Sequence, residues 1–86
     1  MTWQVVLLPS AESSLANIWA SATSPDRAAI TAAASRIDQE LRRGADRVGE
    51  EYYGDRIYQF GPLAAAYALI PDDCMVKITR YMRIKG

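Results

Sequence analysis

Trp3 to Leu8 is almost continuously apolar, with Trp3, Val5 and Leu7 on one side of an extended chain and Val6 and Leu8 on the other. A short run of that kind suits a strand with both faces at least partly covered. Pro9 ends it, and Ser10 is placed to cap a helix. From Ala11 to about Ala22 the apolar positions Leu15, Ile18, Trp19 and Ala22 recur at helical spacing and line one face. After a break at Thr23-Ser24, Ser24 as cap, Pro25 at the first helical position and Asp26 behind it make a strong second helix start. That helix should run from Pro25 to about Arg43, carry the stripe Ile30, Ala33, Ala34, Ile37 and Leu41, and stop at Gly44. The two helices, so closely joined, form an αα-hairpin. Beyond Gly44 the period changes. Ala45 to Gly54 reads as a polar loop, Arg56 to Phe60 as an alternating strand, Gly61-Pro62 as a turn and Leu63 to Ile70 as the next strand. Pro71-Asp72-Asp73 turns the chain into a last strand from Cys74 to about Met82, with Val76 and Ile78 facing inward and Lys77, Thr79 and Tyr81 facing the other way. The order β-α-α-β-β-β, with turns too short for crossovers, makes the last three strands an antiparallel meander. Two amphipathic helices cover one face of such a sheet, so the predicted fold is a two-layer α+β sandwich whose other face is open.

Composition adds bounds. The chain has 86 residues, half of them hydrophobic, which is room for one domain over residues 1–86. Histidine is absent, which removes His-ligated zinc, the Ser-His-Asp and Cys-His nucleophile arrangements and any imidazole acid or base; no cofactor or metal is expected. The single cysteine, Cys74, cannot make an internal disulfide and has no basic immediate neighbour, so it reads as inert. Met1-Thr2-Trp3-Gln4 lacks the positive start of a signal peptide, and no stretch approaches the apolar length of a membrane span. The expectation is a cytoplasmic protein with no membrane association.

Charge is balanced overall, ten basic against ten acidic residues, but unevenly spread. Residues 51–73 hold one basic residue, Arg56, against Glu51, Asp55, Asp72 and Asp73, whereas residues 74–86 hold Lys77, Arg80, Arg83 and Lys85 with no acid. Screening limits the distant acids to about 8–10 Å, so the basic end can meet phosphate locally; a solvated edge kept soluble by its charges is the competing reading.

The arrangement resembles the RelE/ParE family of toxins from bacterial type II toxin–antitoxin modules, also labelled plasmid stabilisation proteins. The resemblance rests on the opening strand ending in Pro9 and on Ala11-Glu12-Ser13-Ser14-Leu15-Ala16-Asn17-Ile18, which looks like the family's "A-x-x-D-L-x-x-I" first helix. Arg27-Ala28-Ala29-Ile30 through Ile37 and Leu41 looks like its second helix, and Gly49-Glu50, Arg56, Pro62-Leu63, Tyr67, Asp72-Asp73 and Val76-Lys77-Ile78 through Arg80 resemble its strand section. What the resemblance implies is a helical hairpin on an antiparallel four-stranded sheet, the first strand lying beside the last. It also implies a growth-inhibiting toxin acting either by translation-linked mRNA cleavage on the ribosome or by inhibition of DNA gyrase. A cognate antitoxin would neutralise it through the helical surface, with Leu15, Trp19, Ile30 and Ile37 as contact residues, and operator DNA would be reached only through that antitoxin. A degenerate, non-catalytic interaction or autoregulatory subunit is the alternative.

An RNA-cleaving member needs a base, an acid and cations for the developing phosphorane charge. Without histidine the candidates are Lys77, Arg80, Tyr81 and Arg83 on the last strand and Arg56 on another. Strict alternation puts Lys77, Tyr81 and Arg83 together and leaves Arg80 with Val76 and Ile78. A tyrosine between cations has its pKa lowered toward usefulness, which makes Tyr81 the candidate acid–base group. The Arg of the family's "Y-R-V-x-Y" strand motif is replaced by Ala64 if Tyr67 is its last tyrosine. Tyr52 and Tyr53 are expected to clamp the loop over the sheet in preference to stacking on nucleotides. Glu50 and Glu51 are expected as solvated loop charges, and Met75 and Met82 as packing or interface residues.

Overall fold

The computed structural model describes residues 2–84. Its elements in chain order are β1 (Gln4–Leu7), α1 (Pro9–Ala20), α2 (Ser24–Gly44), β2 (Glu50–Tyr52), β3 (Asp55–Phe60), β4 (Leu63–Ile70), a 3-10 turn (Pro71–Asp73) and β5 (Met75–Arg83). The strands form one sheet in the order β1-β5-β4-β3-β2, with α1 and α2 packed on one face. The two-layer α+β class is as expected, and two features of the sheet correct the expectation. It has five strands rather than four. It is also mixed rather than antiparallel, because β1 runs parallel to β5 while every other pair is antiparallel. The added strand is β2, which lies within the stretch expected to be loop. Tyr53 (φ 49°) and Gly54 (φ 87°) are successive positive-φ residues, as a two-residue hairpin turn between β2 and β3 requires.

Both helices begin ahead of their expected first residues. Pro9 opens α1 and Ser24 opens α2, so Ser10 lies inside the first turn, where its hydroxyl donates to Thr79 O on β5 at 2.6 Å instead of capping the helix. The predicted stripe of α2 is the buried one: Ile30, Ala33, Ile37 and Leu41 are all 2% exposed or less. Ala33, Ile37 and Leu41 meet Leu63, Ala65 and Tyr67 of β4 and Val76, Ile78 and Tyr81 of β5, with Trp3 and Val5 closing the core on the β1 side. Fully burying a side chain such as Ile37 or Leu41 contributes about 1.5–3 kcal/mol, so this apolar layer carries much of the fold's stability.

Candidate functional site

The last strand does not alternate as its sequence suggests. Arg80 pairs with Ala66 and Ile78 with Tyr67, its neighbour, so Thr79 is an extra residue on β5 and forms a bulge. An inserted residue reverses the alternation beyond it. Val76 and Ile78 face the helices and so, past the bulge, does Tyr81, which is 5% exposed and packed in the core. Lys77 and Arg80 are left together on the open face, the reverse of the grouping that strict alternation gives. Arg83 follows Tyr81 to the helical side and pairs with Asp26 at the start of α2, its Nη2 2.7 Å from Oδ2. Burial raises the Tyr81 pKa to about 12, with the nearby Asp38 carboxylate adding to the rise. The lowering expected of a tyrosine between cations does not occur.

Arg56 is also turned away from the open face. Its position opposite Tyr67 puts it on the helical side, where Nη2 donates to Val48 O at 2.9 Å and reaches Asp46 O and Gly49 O at 3.4 Å. Tyr67 reinforces the same loop by hydrogen bonding to Ala45 O (3.0 Å) and Val48 O (2.8 Å). Gly49 completes this joint with a φ of +77°; a Cβ there would lie 2.6 Å from Tyr67 Oη. The Arg56 Nε is buried without a hydrogen-bond partner, a cost accepted where the rest of the guanidinium ties down three carbonyls. Of the five candidate catalytic residues, then, the structure brings together only Lys77 and Arg80. Neither belongs to the ion pairs formed among the described residues, which are Arg36–Glu40, Arg42–Asp38 and Arg83–Asp26. Thr79 joins them on the open face and donates to Ala66 O at 3.1 Å. Two cations and a hydroxyl can hold an anion there.

The residues singled out on the helices separate differently. Ile37 is fully buried and Ile30 is 1% exposed, so Ile37 belongs to the core rather than to a contact surface. Its place in the α2 stripe, directed at the sheet, is the reason. Leu15 is half-buried and Trp19 is 45% exposed, and both line an apolar groove of about 410 Å³ between α1 and α2. Leu7, Ala16, Ile30 and Ala34 complete its walls, with Glu12 and Thr31 as its polar members. Arg27, which the sequence did not single out, fixes the groove's end. Its guanidinium lies 4.3 Å from the Trp19 ring centroid, and Nε and Nη2 donate to Trp19 O (2.9 Å) and Ala20 O (3.2 Å). One side chain thereby satisfies the last carbonyls of α1 and holds the indole in place. No local pattern marks Arg27 for this role, because the contact depends on how the αα-hairpin closes.

Tyr52 and Tyr53 do not clamp the sheet. They stand at the β2–β3 tip, 60% and 92% exposed, with their rings 4.6 Å apart in an edge-to-face arrangement. Among the described residues no group of three or more histidine, cysteine, aspartate or glutamate residues is placed to hold a metal ion, and no helix is long and apolar enough to cross a membrane.

No family model matches the chain, and no curated protein matches its sequence. Among solved structures, it is similar to a chain of the toxin–antitoxin complex RelBE2 from Mycobacterium tuberculosis. The TM-score is 0.74 at 18% identity, over 96% of this chain and 99% of the other. The two share one fold from end to end, including the helical hairpin and the sheet beneath it.

Proposed function

We propose that this chain is the toxin of a toxin–antitoxin pair, held silent by an antitoxin segment seated in the α1–α2 groove, and that it arrests growth by occupying a protein target rather than by cutting RNA. The end-to-end likeness of fold to a chain of a toxin–antitoxin complex supports the first part. The groove supports the seat: it is apolar and bounded by the half-exposed Trp19, which Arg27 already holds in one orientation. Preorganisation of that kind reduces the ordering cost of binding, and an amphipathic helix is the natural occupant of such a groove.

The observation that carries the choice of target is the burial of Tyr81. RNA cleavage needs a proton acceptor at the 2′-hydroxyl, and no imidazole exists in the sequence to replace a tyrosine whose pKa has risen to about 12. DNA gyrase, the protein target implied by the family resemblance, is the target we assign. The test is induced expression without any neighbouring gene, with mRNA ends and plasmid supercoiling recorded in the same cultures. Arrest with altered supercoiling and intact mRNA, unchanged by Tyr81→Phe, is expected. New mRNA ends that vanish in Lys77→Ala/Arg80→Ala would return the chain to the nuclease reading. Soluble, folded protein that causes no arrest would leave a non-catalytic interaction or autoregulatory subunit.

A further inference from the structure

The β2–β3 tip carries residues that the fold itself does not use. A turn with two successive positive-φ positions favours asparagine before glycine, whereas here Tyr53 takes the left-handed conformation at φ 49° ahead of Gly54. Tyrosine is disfavoured there relative to asparagine, and its ring, 92% exposed, recovers nothing from the core. Its one ring contact is Tyr52, itself 60% exposed. Glu50, Glu51 and Asp55 flank the pair, all exposed and all outside the ion pairs formed among the described residues. Arg56 lies beside them in sequence but is committed to the carbonyls of the preceding loop. The tip is therefore an aromatic pair set among three carboxylates.

Backbone geometry adds direction. β2 is an end strand of the sheet. β3 continues through Tyr58 and Gln59 beyond Ile57, the last residue that β2 pairs, and a cleft of about 510 Å³ opens at this step. We propose that the tip and this cleft form a second docking surface, separate from the α1–α2 groove, which takes an extended cationic segment of another protein. An extended segment satisfies the open strand edge. Its arginine or lysine side chains meet the carboxylates and lie against the tyrosine rings. A nucleic acid would bring phosphates to three carboxylates, and a second copy pairing through β2 would set Glu50 and Glu51 against their own kind. The inference does not depend on the toxin reading.

The test is a titration of the full chain with a peptide alternating arginine and valine, followed by backbone amide shifts. Matched titrations use the same peptide with glutamate for arginine and a single-stranded oligouridylate. Expected are shifts confined to residues 49–59 with the arginine peptide alone, weakening as salt rises. Tyr53→Asn, which suits the turn better and should melt above wild type, should bind about 3–30-fold more weakly. Glu50→Gln/Glu51→Gln, which removes two of the three carboxylates without setting a like charge opposite Arg56, should bind undetectably. Shifts spread evenly over the surface, undiminished binding to Tyr53→Asn, or movement of the tip with oligouridylate would each overturn the proposal.

Discussion

Tyr81, Tyr67 and Gly49 show how single residues carry both the fold and the argument about chemistry. Burial raises the pKa of Tyr81 from an ordinary 10 to about 12, and burial also raises that of Tyr67. A folded-state pKa above the unfolded one means that ionisation favours unfolding. The stability is complete below about pH 10, falls as the unfolded chain ionises, and is lost as pH rises through the folded value near 12. Two pKa units correspond to about 2–3 kcal/mol. Urea unfolding followed between about pH 9 and pH 12 should therefore fall more steeply in the wild type than in Tyr81→Phe, by up to that amount. An equal slope would mean that the hydroxyl is not in the core and would reopen its candidacy as an acid–base group. Gly49 belongs to the joint that Tyr67 and Arg56 make with the loop after α2. Alanine there would place Cβ 2.6 Å from Tyr67 Oη and 2.9 Å from Ile57 O at a φ of +77°. Gly49→Ala should destabilise by about 2–3 kcal/mol in chemical denaturation, well above a surface Gly54→Ala, whose Cβ would meet nothing.

Elements show where local pattern stops being sufficient. β1 ends at Leu7, opposite Ile78, so the next part of β5 has no neighbouring strand on that side. α1 takes over the duty: Ser10 Oγ donates to Thr79 O, and Ser14 Oγ accepts the Tyr81 N–H at 2.9 Å while donating to Ala11 O. Ser14→Ala should cost about 1–2 kcal/mol and accelerate hydrogen exchange at the Tyr81 amide, whereas the exposed Ser10→Ala should cost less than half as much. Equally small costs would show that water replaces both bonds. Most of this architecture was legible beforehand. The α2 stripe Ile30–Leu41 and the two-layer class follow from periodicity, because each depends on contacts repeated every few residues, and the turn at Gly61-Pro62 follows from the backbone preferences of its own two residues. β2 was not legible, since its turn has tyrosine where asparagine is the usual signal. Nor was the grouping on β5, because one bulged residue, Thr79, reverses the facing of everything after it and nothing in the local sequence announces the insertion. The candidate site suffered more than the fold for this reason: a single inserted residue sets Lys77 with Arg80 and turns Tyr81 and Arg83 away from them.

At the scale of the whole molecule, the helices cover one face of the sheet and leave surfaces of different chemistry at separated places. The groove between α1 and α2 is apolar, while the β2–β3 tip is acidic and aromatic and the open face presents Lys77 and Arg80. Surfaces of such different chemistry select different partners, so a toxin could be held at one while its action depends on another. The groove is the place where this separation can be tested, because its lining includes exposed residues that lie outside the core. Ala16 and Thr31 are both exposed, in contrast to Leu41 of the core, which is 0% exposed. Ala16→Gln/Thr31→Gln should fill the groove at a cost of no more than about 1 kcal/mol, since both positions are exposed and glutamine keeps the helix propensity. Leu41→Ala should instead cost about 2–5 kcal/mol. If the groove seats the antitoxin, the double glutamine variant should arrest growth like wild type and no longer be rescued when a candidate antitoxin is co-expressed, whereas both chains should melt within a few degrees of each other. Rescue of the double variant would place the antitoxin elsewhere on the molecule, with the open sheet face and the tip as the surfaces left to receive it.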